Sequence, residues 1–399
     1  MWEQFSYYGM RALLVYYMTR ELLFSQEKSS LVYGAYTATA YFTPILGGIV
    51  ADRWLGKMRA VMVGGAIMAA GHFMMSFATL FYPALVTIAL GNGLFLPSLP
   101  SQINDLYRSD DPRRHWAYNV YYVGINLGGF LAPLVCGTLG ELYGWHWGFG
   151  AAGLGMLAGL AIYAYGRRYL PGTAPGARAK SVPIEDSRRA LRPLMGALLG
   201  VCVAVTVFRA AYEQVGNTVA LWAEVGVDRR AAGAVIPMTW FQSLNPLLIS
   251  VLTPGLLAHW RRRARWGREP SSTRKMAMGA LLVAGAYLLL AAVAAEAGPH
   301  RAGWLWLVAF FVILTWGELY ILPTGLGLFG RLAPAGVTAT VVAAWFLTIF
   351  TGSLAAGVVG TIWSSTTHRT FFLILAACAL VSALMLLRLE RAPVLASVA

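Results

Sequence analysis

The sequence predicts an all-α membrane protein of twelve helices, arranged as two halves of six. Three observations carry this. First, 58% of the 399 residues are hydrophobic and only 12% are charged, against roughly 45–50% and about 25% in an average soluble domain. So little charge cannot cover a soluble protein of this length, which excludes a soluble enzyme. Second, apolar stretches recur along the whole chain. A helix needs about 20 apolar residues to cross the bilayer, and at roughly 33 residues per span plus loop the chain holds about twelve. Third, one interval, 170–192, carries Pro171, Gly172, Pro175, Gly176 and a run of basic residues ending at Arg192, and it separates six stretches from six.

Each stretch reads as a helix, because backbone in lipid has to satisfy its own hydrogen bonds. The first half comprises 1–19, 30–51, 60–81, 84–107, 116–140 and 147–169. The second comprises 193–223, 233–259, 275–297, 303–330, 336–363 and 368–388. The domains expected are thus 1–169, a linker at 170–192, and 193–399. Two six-helix halves around a basic central loop is the layout of the major facilitator architecture. The chain opens inside an aromatic helix pattern, without the form of a cleavable signal. Because 1–19 is short for a span and puts Glu3 near its end, the first helix is expected to be truncated.

The net charge of +14 sits in short loops between apolar runs, which points to membrane orientation and away from a nucleic-acid partner. One set of loops holds Arg53, Lys57, Arg59, Arg108, Arg113, Arg114 and the linker arginines, followed by the 261–275 cluster, Arg331, Arg388 and Arg391. The alternate loops hold only Arg20, Lys28, Arg229, Arg230, Arg301 and Arg369. The first set is therefore expected on the cytoplasmic side, with both termini, in an inner (cell) membrane. Cys136, Cys202 and Cys378 lie inside apolar segments without paired spacing, so neither disulfides nor a metal site is expected. No cofactor signature is present, and no HExxH, GxSxG or Cys–His arrangement supports an enzyme.

Ionisable residues inside spans are costly, by about 2.5–3.5 kcal/mol on insertion scales, and are functional candidates by default. They are Glu3, Arg11, Arg209, Glu213 and Glu318, with Asp105 and Glu141 near helix ends. Glu3, Tyr7 and Arg11 fall at i, i+4 and i+8 and share one face, with Tyr8 beside them. Arg209 and Glu213 also share a face, as a self-neutralising pair or a switchable one. His72, without an acidic neighbour at helical spacing, reads as structural.

The ordered motifs then resemble the proton-dependent oligopeptide transporters, a family of the major facilitator superfamily. WEQFSYYGMRALL resembles that family's first-helix motif, GGIVADRWLG its second-to-third-helix signature, and YYVGINLGGF its fifth-helix signature. FQSLNPLLI, TWGELYILPTGLGL and AWFL continue the order to about residue 350. The resemblance implies a central cavity for a zwitterion. In it Arg11 would hold the substrate carboxylate and Glu318 its ammonium, while Asn126 and Asn245 would bond the peptide backbone. Tyr7, Tyr8, Tyr41 and Trp345 would line the pockets, and Asp52, Arg53 and Lys57 would form a cytoplasmic charge clasp. Alternatives stay open at several positions. Asn126, between Gly124 and Gly128, also fits helix packing. Asn245, before Pro246, also fits a backbone-satisfying role. Tyr41 and Trp345 equally fit packing.

Two departures stand out. Gln4 and Leu96 occupy positions where the family usually carries a basic residue, and the linker is too short for the two extra helices of many bacterial relatives. Proton coupling is therefore assigned to Glu3, Glu213 and Arg209. The function expected is import of di- and tripeptides by alternating access, with protons and membrane lipid as the other partners and a monomeric chain. The alternatives are a carrier of another small zwitterion or anion, and a peptide sensor without transport.

Overall fold

A computed structural model describes residues 1–107, 111, 113–170, 184–334, 338–392 and 395. The expected linker at 170–192 lies largely outside the described residues. The helices are α1 (Trp2–Arg20), α2 (Gln26–Val50), α3 (Lys57–Met74), α4 (Phe81–Leu106), α5 (Arg113–Ala132), α6 (Thr138–Tyr143) and α7 (Trp145–Gly166). They continue as α8 (Ile184–Tyr212), α9 (Thr218–Val225), α10 (Trp240–Arg265), α11 (Ser272–Ala297), α12 (Trp304–Leu332), α13 (Thr338–Gly360) and α14 (His368–Leu389). A π turn at Pro133–Gly137 joins α5 to α6, and a 3-10 turn at Glu213–Gly216 joins α8 to α9. With those two pairs each counted as one rod, the described helices form the twelve rods that the apolar stretches predict.

Among the described residues, nine of these rods are long and apolar enough to cross a membrane. α1, α2 and α3 fall short of that measure for visible reasons. α1 carries Glu3, Gln4 and Arg11, α2 opens on Gln26, Glu27 and Lys28, and α3 opens on Lys57 and Arg59. Such residues lower the apolarity of a span, and charged ones inside a membrane are costly.

The chain forms two compact units. One holds Met1–Ser25, Ala35–Arg178 and Val235–Leu247; the other holds Gln26–Gly34, Ala179–Ala234 and Leu248–Ala399. This partition differs from a cut at the linker, since the start of α2 belongs to the second unit and the start of α10 to the first. In the first unit α1 packs on α5 and α7, and α3 on α4 and α7. In the second, α11 packs on α12 and α14, and α8 on α13 and α14. Small residues allow the close approaches that packing in lipid favours. At the α11–α12 crossing a Cβ on Gly279 would meet the Gly317 carbonyl oxygen at 2.5 Å.

A buried polar network fixes the start of α2 within the second unit. Gln26 Nε2 donates to Ser30 Oγ (2.7 Å) and to the Gly360 carbonyl (2.8 Å). Ser30 Oγ donates to Asn217 Oδ1 at 3.1 Å, and Asn217 Nδ2 donates to Gln214 Oε1 at 3.3 Å. Gln214 Nε2 then reaches the Ala356 carbonyl at 2.8 Å. The α8–α9 junction thereby has its backbone break covered by side-chain amides, as interrupted helices in membranes require.

Candidate functional site

In the first unit, α1, α2 and α4 line a pocket of about 40 Å³ formed by Glu3, Gln4, Tyr7, Tyr8, Ala40, Tyr41, Asn92 and Leu96. Helical spacing builds it: Glu3 and Tyr7, Gln4 and Tyr8, and Asn92 and Leu96 are each one turn apart. Glu3 is buried and accepts a 2.9 Å hydrogen bond from Gln4 Nε2. Tyr7 is 5% exposed, and its hydroxyl has no hydrogen-bond partner among the described residues. Its ring meets Tyr8 edge-on at 5.5 Å and stacks on Tyr36 at 6.3 Å. The Arg11 guanidinium lies 5.8 Å from the Tyr8 ring centre, within cation–π reach. Four predicted residues, Glu3, Tyr7, Tyr8 and Tyr41, therefore line one pocket, with Arg11 one turn beyond Tyr7 and Tyr8.

The other candidate residues of this unit lie apart from that pocket's lining. Asn126 is buried, but its Nδ2 donates to the Tyr122 carbonyl of its own helix at 3.0 Å. Beside it, a Cβ on Gly128 would meet the Met1 carbonyl oxygen at 2.2 Å, so this face of α5 is packed against the start of α1. Both facts favour the packing alternative for Asn126. Asn245 lies on α10, and the Pro246 after it sits near Gly129 of α5. Of the charge-clasp residues, Lys57 bonds Asp105 Oδ2 of α4 through its Nζ at 2.7 Å, while Asp52 and Arg53 are exposed in a π turn. That turn, Ala51–Leu55, ends at Gly56 with φ +76°. His72 is fully buried, as its structural reading requires.

In the second unit, Glu318 is buried on α12, five residues before Pro323. Trp345 is also buried, 5.4 Å from the Phe329 ring and tight on Gly325, which is the packing alternative for that residue. Arg209 and Glu213 form an ion pair with both side chains buried, and the Tyr212 ring lies 5.3 Å from the guanidinium.

Sequence reasoning missed Asn92, whose Nδ2 donates to the Ala40 carbonyl at 2.8 Å and joins α4 to α2. An amide between Gly91 and Gly93, inside an apolar span, was the available signal. It also missed the role of Glu141. This carboxylate accepts from Met238 N (3.0 Å), Thr239 N (2.8 Å) and Thr239 Oγ1 (2.5 Å), capping the start of α10.

The family model of the POT family matches residues 58–179 and 179–376. The chain belongs to the POT family. A model of nucleoside H+ symporters also matches residues 1–112. This POT family chain is 31% identical to the di-/tripeptide transporter of Lactococcus lactis subsp. cremoris, over 98% of its own length and 93% of that protein. It is 31% identical to the peptide transporter YePEPT of Yersinia enterocolitica subsp. palearctica, over 90% and 85%. A crystal structure of the peptide transporter POT in complex with sulfate aligns with a TM-score of 0.89 at 29% identity, covering 98% of this chain and 93% of that one. A mutant of that transporter in complex with alafosfalin aligns at 0.87 and 30% identity, with the same coverage. The chain is therefore a multi-pass membrane transporter of major facilitator fold, and not an enzyme.

Proposed function

We propose that this POT family member imports di- and tripeptides by alternating access and couples their entry to protons. The carrying observation is the family match over most of the chain, joined to buried charges of both signs in spans that otherwise exclude charge. A peptide leaving water needs one fixed charge for each of its termini and neutral groups between them. Arg11 takes the carboxylate and Glu318 the ammonium. Asn126 and Asn245 bond the peptide backbone when substrate is present, and Tyr7, Tyr8, Tyr41 and Trp345 form or back the side-chain pockets. Aromatic walls adapt to many side chains, so selectivity rests on the peptide backbone.

The proton sites are Glu3 and the Glu213–Arg209 pair, and Lys57, Asp52 and Arg53 act on the cytoplasmic side with Asp105. The two six-helix halves, 1–169 and 193–399, are joined by the 170–192 linker. Lys and Arg asymmetry supports a cytoplasmic position for both termini and that linker, in an inner membrane, and the chain works as a monomer. Uptake of radiolabelled dialanine into proteoliposomes, with and without an imposed pH difference, tests the reading. Accumulation that needs the pH difference is expected. Uptake of a nucleoside or another zwitterion in place of dialanine would replace peptide as the substrate, and binding without flux would make the chain a sensor.

A further inference from the structure

Among the described residues, α10 is the least covered of the membrane-length helices: 22% of its apolar stretch is buried, against 39% or more in each of the others. Its 26 residues extend about 39 Å, well past the roughly 30 Å of a hydrocarbon core. Trp240 and Trp260 stand about 30 Å apart along it, the spacing of the two aromatic belts of a bilayer. Arg261, Arg262, Arg263 and Arg265 then follow Trp260 at headgroup depth. They do so on rigid helix, because α10 closes only after Arg265, with Gly267 at φ +62°. One face of α10 packs on α11 and α12 through Ile249, Leu252, Leu256 and Trp260. On the opposite face Val251, Pro254 and Ala258 are exposed at i, i+3 and i+7, and Arg261, Arg262 and Arg265, also exposed, continue that stripe. Among the described residues none of these three arginines has an acidic partner. Glu269 pairs with Lys275, and Glu390 accepts from Ser271 Oγ. Like charges on adjacent turns repel unless an anion lies between them.

We propose that this face binds an anionic phospholipid, its phosphodiester held by Arg261, Arg262 and Arg265 and an acyl chain laid along Val251, Pro254 and Ala258. Guanidinium groups match phosphate oxygens in geometry as well as in charge. The apolar stripe that runs on beneath them suits a lipid, and gives nothing to a soluble anion, an acidic protein or a nucleic acid. Trp260 and Trp266, the latter 68% exposed, bracket the arginines with rings that favour the membrane interface. Orientation in the membrane asks only for basic residues in a loop, not for a helical triad continuous with a bare apolar face. The inference concerns lipid alone and does not depend on which substrate is carried.

The test uses the full chain purified in detergent and freed of bound lipid. Native mass spectrometry follows its titration with dioleoyl phosphatidylglycerol and, separately, with dioleoyl phosphatidylcholine, which has the same tails. Saturable phosphatidylglycerol binding is expected, about tenfold or more tighter than phosphatidylcholine and weakened by salt. Each basic residue near an anionic surface is worth about a factor of five, so the triple change Arg261→Gln, Arg262→Gln and Arg265→Gln should weaken it by about 100-fold. A second triple change, Arg59→Gln, Arg388→Gln and Arg391→Gln, removes equal charge from other exposed positions and should leave binding at the wild-type level. Size-exclusion elution at the wild-type volume shows that each variant is folded. Equal affinity for the two lipids, or an equal loss in the two triple variants, overturns the proposal. Displacement of the lipid by glycerol phosphate would make the arginines a site for a free anion, and displacement by a polyglutamate peptide would make them a protein-docking surface. Either result overturns it as well.

Discussion

The Lys57 ammonium stands 2.7 Å from the Asp105 carboxylate and ties the first turn of α3 to the last turn of α4. Both side chains are about a quarter exposed, at 24% and 25%. A pair in that setting contributes about 0.2–1 kcal/mol, screened by salt. Asp105→Asn should therefore lower Tm only slightly, and less at high ionic strength. The exchange Lys57→Asp with Asp105→Lys should recover most of the loss. A double-mutant cycle on thermal unfolding measures this; additive single effects would remove Asp105 from the clasp.

Arg11 and Glu318 carry the second prediction. Removing one partner of a desolvated charge contact costs about 2–5 kcal/mol, so Arg11→Ala and Glu318→Gln should each cut dialanine uptake by a factor of about 30 or more. The two losses should differ in kind. Arg11→Ala should stop discriminating against a peptide whose carboxylate is amidated, and Glu318→Gln against one whose amine is acetylated. Competition uptake in proteoliposomes reads both. Wild-type discrimination in either variant would mean that another residue holds that charge.

Much of this architecture was legible because a bilayer restricts backbone so severely. Twelve apolar stretches gave twelve rods, with edges off by a few residues where prolines, π turns and capping groups act. The start of α10 is the clearest case: apolarity begins near residue 233, but the helix begins at Trp240, where Glu141 caps it from a distant helix. The Arg209–Glu213 pair was legible because i, i+4 spacing fixes proximity within one helix. The contacts of Lys57, Asn92 and Glu141 were not. Each partner lies 48, 52 or almost 100 residues away, and helical periodicity carries no information about which faces of separate helices meet. Asn126 shows the converse: its motif was readable, but the bond its amide makes here, to its own helix, was not.

The network at the start of α2 gives a stability prediction. A Cβ on Gly34 would meet the Gly357 Cα at 2.5 Å, a contact with backbone that no rotamer change relieves. Gly34→Ala should therefore destabilise by about 1–3 kcal/mol, as overpacking does. Asn217→Ala should cost a similar about 1–3 kcal/mol by leaving Ser30 and Gln214 short of a buried partner. Because Gly34 lies one turn after Ser30, the partner of Asn217, the double variant should fall short of the sum of the two. Denaturation monitored by tryptophan fluorescence distinguishes coupling from additivity.

The last prediction separates the two readings of Arg209 and Glu213. The pair is buried on both sides, and replacing one partner of such a pair typically costs about 3–5 kcal/mol. If the pair only neutralises itself, Glu213→Gln should lower Tm and reduce all modes of transport together. If the pair is the switch, protonation of Glu213 releases Arg209 and favours one conformational state over the other, since a ligand shifts an equilibrium only by binding its states unequally. Glutamine keeps the shape of the protonated acid but cannot lose a proton. On the switch reading, Glu213→Gln should abolish accumulation driven by a pH difference while leaving dialanine counterflow, which needs no net proton movement, near the wild-type rate. Arg209→Ala should lose both. Counterflow and pH-driven uptake measured on the same proteoliposome preparation give the answer: if Glu213→Gln still accumulates peptide on a pH difference alone, Glu213 is not the coupling carboxylate, and that role passes to Glu3.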